Sequence, residues 1–194
     1  MINRDAQKVR PCYLIMTVLF MELKDIKQQF FTYRNGMLAD RLREAGDCHK
    51  VIFGLNLPQI VDIARIAGCN KALAEELWAN ATTRESRLLA PMIYPREDFL
   101  ATKAHEWIEG VECVEVADIL CHRLLRYLDY AWQLCEKYAN SDSDLLRYTA
   151  LRLAANLEAL ERITDYASLH RMAEQELGRN CPLTASLAQS LLSV

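Results

Sequence analysis

The chain has 194 residues and a mass of 22.3 kDa, which fits one domain with a sizeable buried core. Apolar residues make up 52% and charged residues 25%, and six Gly and five Pro are too few for a turn-rich β-sandwich or a disordered linker protein. The net charge is −3, so a protein that simply coats a polyanion is excluded and any such binding needs the basic groups gathered on one face.

Charge is split along the chain, with 14 basic and 12 acidic side chains in residues 1–100 and 9 and 14 in residues 101–194. The seven Cys are odd in number and contain no Cys-x-x-Cys pair. That argues against a secreted disulfide framework or a zinc ribbon, and a reducing cytoplasm is the expected location.

Residues 1–10 read as a loose tail and residues 11–194 as a single helical repeat domain. Arg4, Lys8 and Arg10 precede an apolar run from Cys12 to Phe20 that superficially looks like a secretory signal. Met21-Glu22-Leu23-Lys24-Asp25 follows with no small-residue cleavage site. The run also falls far short of the ~20 apolar residues that span a bilayer. It is expected to form the buried face of a first helix, and no contact with a membrane is expected.

Further on, helical periodicity broken by short connectors dominates. Ile60, Ile63, Ala64 and Ala67 recur after Pro58, and Gly68 supplies a stop. Asn70 is placed to cap the next helix, which buries Leu73, Leu77 and Trp78. Thr82-Thr83-Arg84-Glu85 has the form of a capping box, followed by Leu88, Leu89 and Met92 on an apolar face. Pro95 with Glu97 and Asp98 suits a helix start, and that helix buries Phe99, Leu100, Ala104, Trp107 and Ile108.

A longer helix is expected from about Glu115 to Tyr138, with Val116, Leu120, Leu124, Leu128 and Ala131 inside. Ser141-Asp142-Ser143-Asp144 punctuates the chain and caps a helix through Leu151, Ala154, Ala155 and Leu157. The last helices surround Leu169, Met172 and Leu177, then Leu183, Leu187 and Leu191 after Pro182. No alternating strand pattern with a hairpin turn occurs. The expected fold is all-α, with about ten helices stacked as antiparallel pairs in HEAT-like units of roughly 40 residues. A globular bundle is the competing arrangement. Leu187, Leu191 and Leu192 would leave an apolar edge at the last helix, favouring self-association.

Several stretches resemble a known family. They are Phe31-Thr32-Tyr33-Arg34-Asn35-Gly36-Met37, Phe53-Gly54-Leu55-Asn56-Leu57-Pro58-Gln59-Ile60, Glu76-Leu77-Trp78, Thr83-Arg84-Glu85-Ser86-Arg87-Leu88-Leu89-Ala90 and Val116-Ala117-Asp118-Ile119-Leu120. In this order the chain is similar to the DNA alkylation repair family, the HEAT-like alkylpurine DNA glycosylases of AlkD type. The likeness covers about two-thirds of the chain and fades after Leu160. It implies a concave solenoid that holds alkylated duplex DNA by its phosphates and hydrolyses the N-glycosidic bond of cationic N3- or N7-alkylated purines. It implies no metal and no organic cofactor.

An alkylated purine is already a cationic leaving group, so the site needs mainly a carboxylate to stabilise charge on the sugar and place a water. Asp118 matches the family's catalytic position. Helical spacing puts Glu115, Asp118, His122 and Arg126 on one polar stripe, with His122 within reach of the Asp118 carboxylate. Arg84, Arg87, Lys103, His122, Arg123, Arg126, Arg147 and Arg152 are the expected DNA contacts. Two positions depart from the family pattern: Val114 stands where an aromatic is expected, and Tyr148 stands at a groove Arg position, one residue after Arg147. Trp107, the nearest large ring, reads as core. A non-catalytic family member acting as a DNA-structure binder or scaffold is the alternative. Cys113, Cys121, His122 and Cys135 lack the short paired spacing of structural zinc ligands, so no metal site is expected.

Overall fold

The computed structural model describes residues 21–193, so the tail at 1–10 and the run from Cys12 to Phe20 lie outside the described residues. Eleven α-helices follow one another: α1 (Leu23–Thr32), α2 (Gly36–Glu44), α3 (Leu57–Ala67), α4 (Lys71–Ala79), α5 (Arg84–Ile93), α6 (Ala101–Glu109), α7 (Val114–Arg123), α8 (Ala131–Tyr138), α9 (Asp144–Glu158), α10 (Tyr166–Gly178) and α11 (Pro182–Leu191). Among the described residues the one β pairing is an isolated bridge between Val51 and Thr83. The all-α expectation holds. Among the described residues no helix is long and apolar enough to cross a membrane.

Most helix ends follow the sequence signals. Asn56 and Gln59 form a reciprocal capping box at α3, and Gly68 ends that helix with φ 64°. Asn70 accepts from the Leu73 amide at 3.1 Å, and Ser143 caps α9 through the Leu146 amide.

The capping box expected at Thr82 does not form. Thr83 is the N-cap of α5 and makes no side-chain cap bond. The connector at 51–55 is bridged to the start of α5, since Val51 N–H donates to Thr82 O and Arg84 N–H to Val51 O. Its following amides therefore lie over the helix and need an acceptor. The fully buried Glu85 carboxylate supplies it, accepting from the amides of Phe53, Gly54 and Leu55 at 2.9–3.3 Å. Gly54 sits at φ +78°, where an added Cβ would lie 2.1 Å from the Asn35 carbonyl oxygen, so only glycine fits.

The long helix expected from Glu115 to Tyr138 is two helices. The backbone leaves the helical region at Leu124 (φ −128°, ψ −63°), makes a 3-10 turn at Leu125–Tyr127, and resumes as α8. Ile119, Leu120, Cys121, Leu124, Leu125 and Leu128 are all buried, a spread of more than half the circumference of a straight helix. Bending the chain buries all of them, and Arg162 donates to the freed carbonyls of Arg126 and Leu128. The helix expected from Pro95 likewise begins as a 3-10 turn at Arg96–Asp98 and restarts at Ala101.

Consecutive helices joined by short connectors pack as antiparallel pairs: α4 on α5, α8 on α9, α10 on α11. The second members stack into an inner layer, α3 on α5, α5 on α7, α7 on α9 and α9 on α11. An outer layer is joined by Trp78 of α4 stacked on Trp107 of α6 at 4.2 Å, and by His105 of α6 against Tyr138 of α8. Trp107 is core, as its apolar stripe indicates. At the last pair, Leu191 is buried and Leu187 and Leu192 pack against the core. The expected apolar edge is thus turned inward, because α11 has α9 and α10 to bury those leucines against.

Candidate functional site

Three of the eight expected DNA-contacting side chains are interior, which corrects their assignment. Helix α5 is buried on nearly every side between α3 and α7, so its arginines have no open water to face. Arg84 binds Glu115 through two bonds of 2.7 and 2.5 Å, donates to Leu55 O, and lies 3.5 Å from Asp47. Arg87 stacks over the Trp78 ring at 3.7 Å, donates to Trp78 O and Gly110 O, and pairs with Glu112 at 3.2 Å. Arg147 is held by Glu176, by Asp144, and by the carbonyls of Ser141 and Asp142. A buried guanidinium is retained only when its donors are satisfied in this way. These three brace successive helices to one another. A fourth, Lys103, lies on the outer layer in α6 and pairs with Glu106 at 2.7 Å, away from the inner face.

On the open side of the inner layer, α3, α7 and α9 enclose a cleft of about 370 Å3. Leu57 lines it from α3, Glu115, Asp118, Ile119 and His122 from α7, and Arg152 and Asn156 from α9. The i, i+3, i+7 spacing on α7 and the i, i+4 spacing on α9 point both polar stripes at one another.

Asp118 opens onto this cleft but is not a free carboxylate. Arg152 Nε lies 2.7 Å from its Oδ1, and the Tyr148 hydroxyl donates to the same oxygen at 2.8 Å. Arg152 also donates to the Tyr148 oxygen at 2.7 Å, closing a three-membered network. Burial pushes the Tyr148 phenol above its ordinary pKa, and the Asp118 charge adds to that rise. The expected Asp118–His122 contact is replaced by these partners. Asn156 lines the cleft with His122, whose pKa is lowered by burial first and then by the nearby charges of Arg126 and Arg123.

Beside the cleft, at the C-terminal end of α7, stand three arginines without a carboxylate partner among the described residues: Arg96, Arg123 and Arg126. Arg96 lies over the Tyr127 ring at 3.5 Å, and Arg126 donates to the Tyr127 hydroxyl at 2.7 Å. Arg123 and Arg96 share the lining of a second depression with Arg65. The buried Nε atoms of Arg123 and Arg126 have no hydrogen-bond partner among the described residues. Unpaired guanidinium groups held close together bind anions, phosphate above all.

Residues 26–184 match the family described as DNA alkylation repair enzyme. The chain belongs to this family. A solved structure of a protein from a new family related to the HEAT-like repeat DNA glycosylases, with affinity for branched DNA structures, has the same fold. Its TM-score is 0.75 at 17% identity, covering 88% of this chain and 74% of that one. No curated protein matches the chain significantly.

In this member of the DNA alkylation repair family, Asp118 lies on α7, and Val114, where the sequence likeness expects a ring, is half-buried against the core. Trp107 cannot substitute, being buried against Trp78. Tyr148 and Arg152, one helical turn apart on α9, both reach the Asp118 carboxylate. Sequence reasoning did not name Asn156, Arg96 or Tyr127, and it noted Tyr148 only as a departure from the family pattern, not as a partner of Asp118. The 148, 152, 156 spacing would have revealed Tyr148 and Asn156; Arg96 was hidden inside what reads as a helix start.

The metal question also changes. Cys121 and Cys135 are buried in the core, as small hydrophobes. Cys113 meets other residues, Cys48 and His49, which adjoin one another in sequence far from it.

Proposed function

We propose that this protein binds duplex DNA along its inner face, gripping phosphates with Arg96, Arg123 and Arg126, and that it recognises DNA structure without excising bases. The observation carrying this reading is a group of arginines without carboxylate partners among the described residues: Arg96 and Arg126 on Tyr127, and Arg123 sharing a depression with Arg96. Arg152 already neutralises Asp118, so that carboxylate is a poor electrostatic partner for a cation growing on a sugar. The branched-DNA affinity of the structural neighbour supports a junction as the preferred ligand.

Excision by Asp118 is the second reading, favoured because its side chain is 38% exposed and opens onto the cleft. The deciding experiment incubates the protein with DNA containing 7-methylguanine and also measures its affinity for a four-way junction and a linear duplex. Junction binding with base release no faster than the spontaneous rate is expected, unchanged by Asp118→Asn. Release that Asp118→Asn abolishes would establish the glycosylase instead.

A pH dependence follows from His122. Its cation is disfavoured by burial and by Arg126 and Arg123. Phosphate on those arginines offsets their charge, so binding restores the imidazole toward its ordinary pKa of about 6.5 and takes up a proton. DNA affinity is expected to strengthen as pH falls below about 6.5, and His122→Ala to flatten that rise in anisotropy titrations. In the unbound protein the same depressed pKa has the opposite sign. Stability is full above the unfolded value and declines as pH falls through the folded one.

A further inference from the structure

Cys48 and His49 lie in the connector between α2 and α3, and Cys113 is the N-cap of α7. One ligand atom from each of the three lies within 4.8 Å of the other two. We propose that Cys48, His49 and Cys113 form a binding site for a soft divalent cation of the zinc type, separate from the DNA-facing cleft.

The geometry fits such an ion. Tetrahedral zinc holds sulfur at about 2.3 Å and imidazole nitrogen at about 2.0–2.1 Å, which sets neighbouring ligands roughly 3.6 Å apart. The three ligand atoms lie within 4.8 Å of one another, and Glu112 Oε2 lies 3.8 Å from His49 Nε2. The His49 side chain is 1% exposed, and Asp47 holds its Nδ1 at 2.7 Å, the kind of carboxylate contact that orients ligating histidines. Its Nε2 has no hydrogen-bond partner among the described residues, and the Glu112 carboxylate lies at that 3.8 Å from it. Glu112 is thereby the chain's own candidate for a fourth ligand. Two sulfurs and an imidazole select zinc-like ions over magnesium or calcium.

Charge agrees with geometry. A zinc-type ion takes cysteine as the thiolate, and the Asp47 and Glu112 carboxylates beside His49 make the surroundings favourable to a cation. A divalent ion displaces the two thiol protons, which leave to solvent, and the net charge of the cluster is unchanged. The ion would fasten the α2–α3 connector to α7 beside the Asp47–Arg84–Glu115 network.

The test titrates the full chain, reduced with a non-thiol phosphine, with Co2+ as the probe. One equivalent is expected to give a thiolate-to-cobalt charge-transfer band and intense visible bands of tetrahedral cobalt, both erased by Zn2+. Cys48→Ser and Cys113→Ser should each lose the thiolate band, while Cys69→Ser, at an exposed cysteine elsewhere, keeps it. Circular dichroism checks that each variant is folded, and Zn2+ should raise the melting temperature of the parent but not of Cys48→Ser. A reduced, folded protein giving no thiolate band would overturn the proposal. So would a band that survives both substitutions, or a Cys48–Cys113 disulfide forming in air in a protein that takes up no Co2+ when reduced.

Discussion

Glu85→Ala is expected to lower folding stability by about 3–5 kcal/mol, the cost of removing one partner from a buried charged cluster. The carboxylate has no solvent exposure and accepts three backbone amides, with Arg84 a further 3.3 Å away. Its loss strands those amides and takes one of the carboxylates from a buried guanidinium. Chemical denaturation should show the midpoint falling with little change in slope, and the melting temperature should drop by roughly 10 °C. Glu85→Gln keeps one acceptor oxygen and should cost distinctly less. Equal losses in the two variants would mean that the carboxylate's charge, rather than its acceptors, holds the connector.

The second large effect concerns binding. Reversing two of the unpaired charges, Arg123→Glu with Arg126→Glu, should weaken DNA affinity at least about a hundredfold, since each charged hydrogen bond contributes roughly 1.5–3 kcal/mol. The slope of log affinity against log salt should shrink by about 1.8 for the two lost phosphate contacts. Neither arginine has a carboxylate partner to strand, so the melting temperature should move little. A folded double variant with the parent's affinity and salt slope would place DNA elsewhere. Arg84, Arg87 and Arg147 serve as the contrast, because their truncation should unfold the chain before it weakens any contact with DNA.

Helix positions were readable because capping and periodicity are local: Asn56, Asn70 and Ser143 each bond an amide three residues on. The break at Leu124 was not, since the 3.6-residue stripe continues through it. What bends the chain is the second apolar face formed by Leu125 and Cys121. Asp118 was found through a family likeness, while its engagement by Arg152 and Tyr148 depends on how α9 lies against α7. The arginines show the limit most clearly. Arg84 and Arg123 look alike as letters, yet Glu115 stands across from one and no acid across from the other. Partners thirty residues away decide which cation is structural and which is free. The Thr82 motif failed for the same reason, because Glu85 had three long-range amides to satisfy.

Arg84 ties α5 to α7 and to the connector before α3, and Arg147 joins α9 to α10 through Glu176, which also accepts from Thr184 of α11. Cross-bracing of this kind stiffens the ribbon, so its curvature is nearly fixed before any ligand arrives. A straight rod pressed against a stiff arc must itself yield, and intact B-DNA resists with a persistence length of about 50 nm. A nick, gap or junction yields at far lower cost, so under the function proposed above mechanical compliance rather than base sequence would be the property selected.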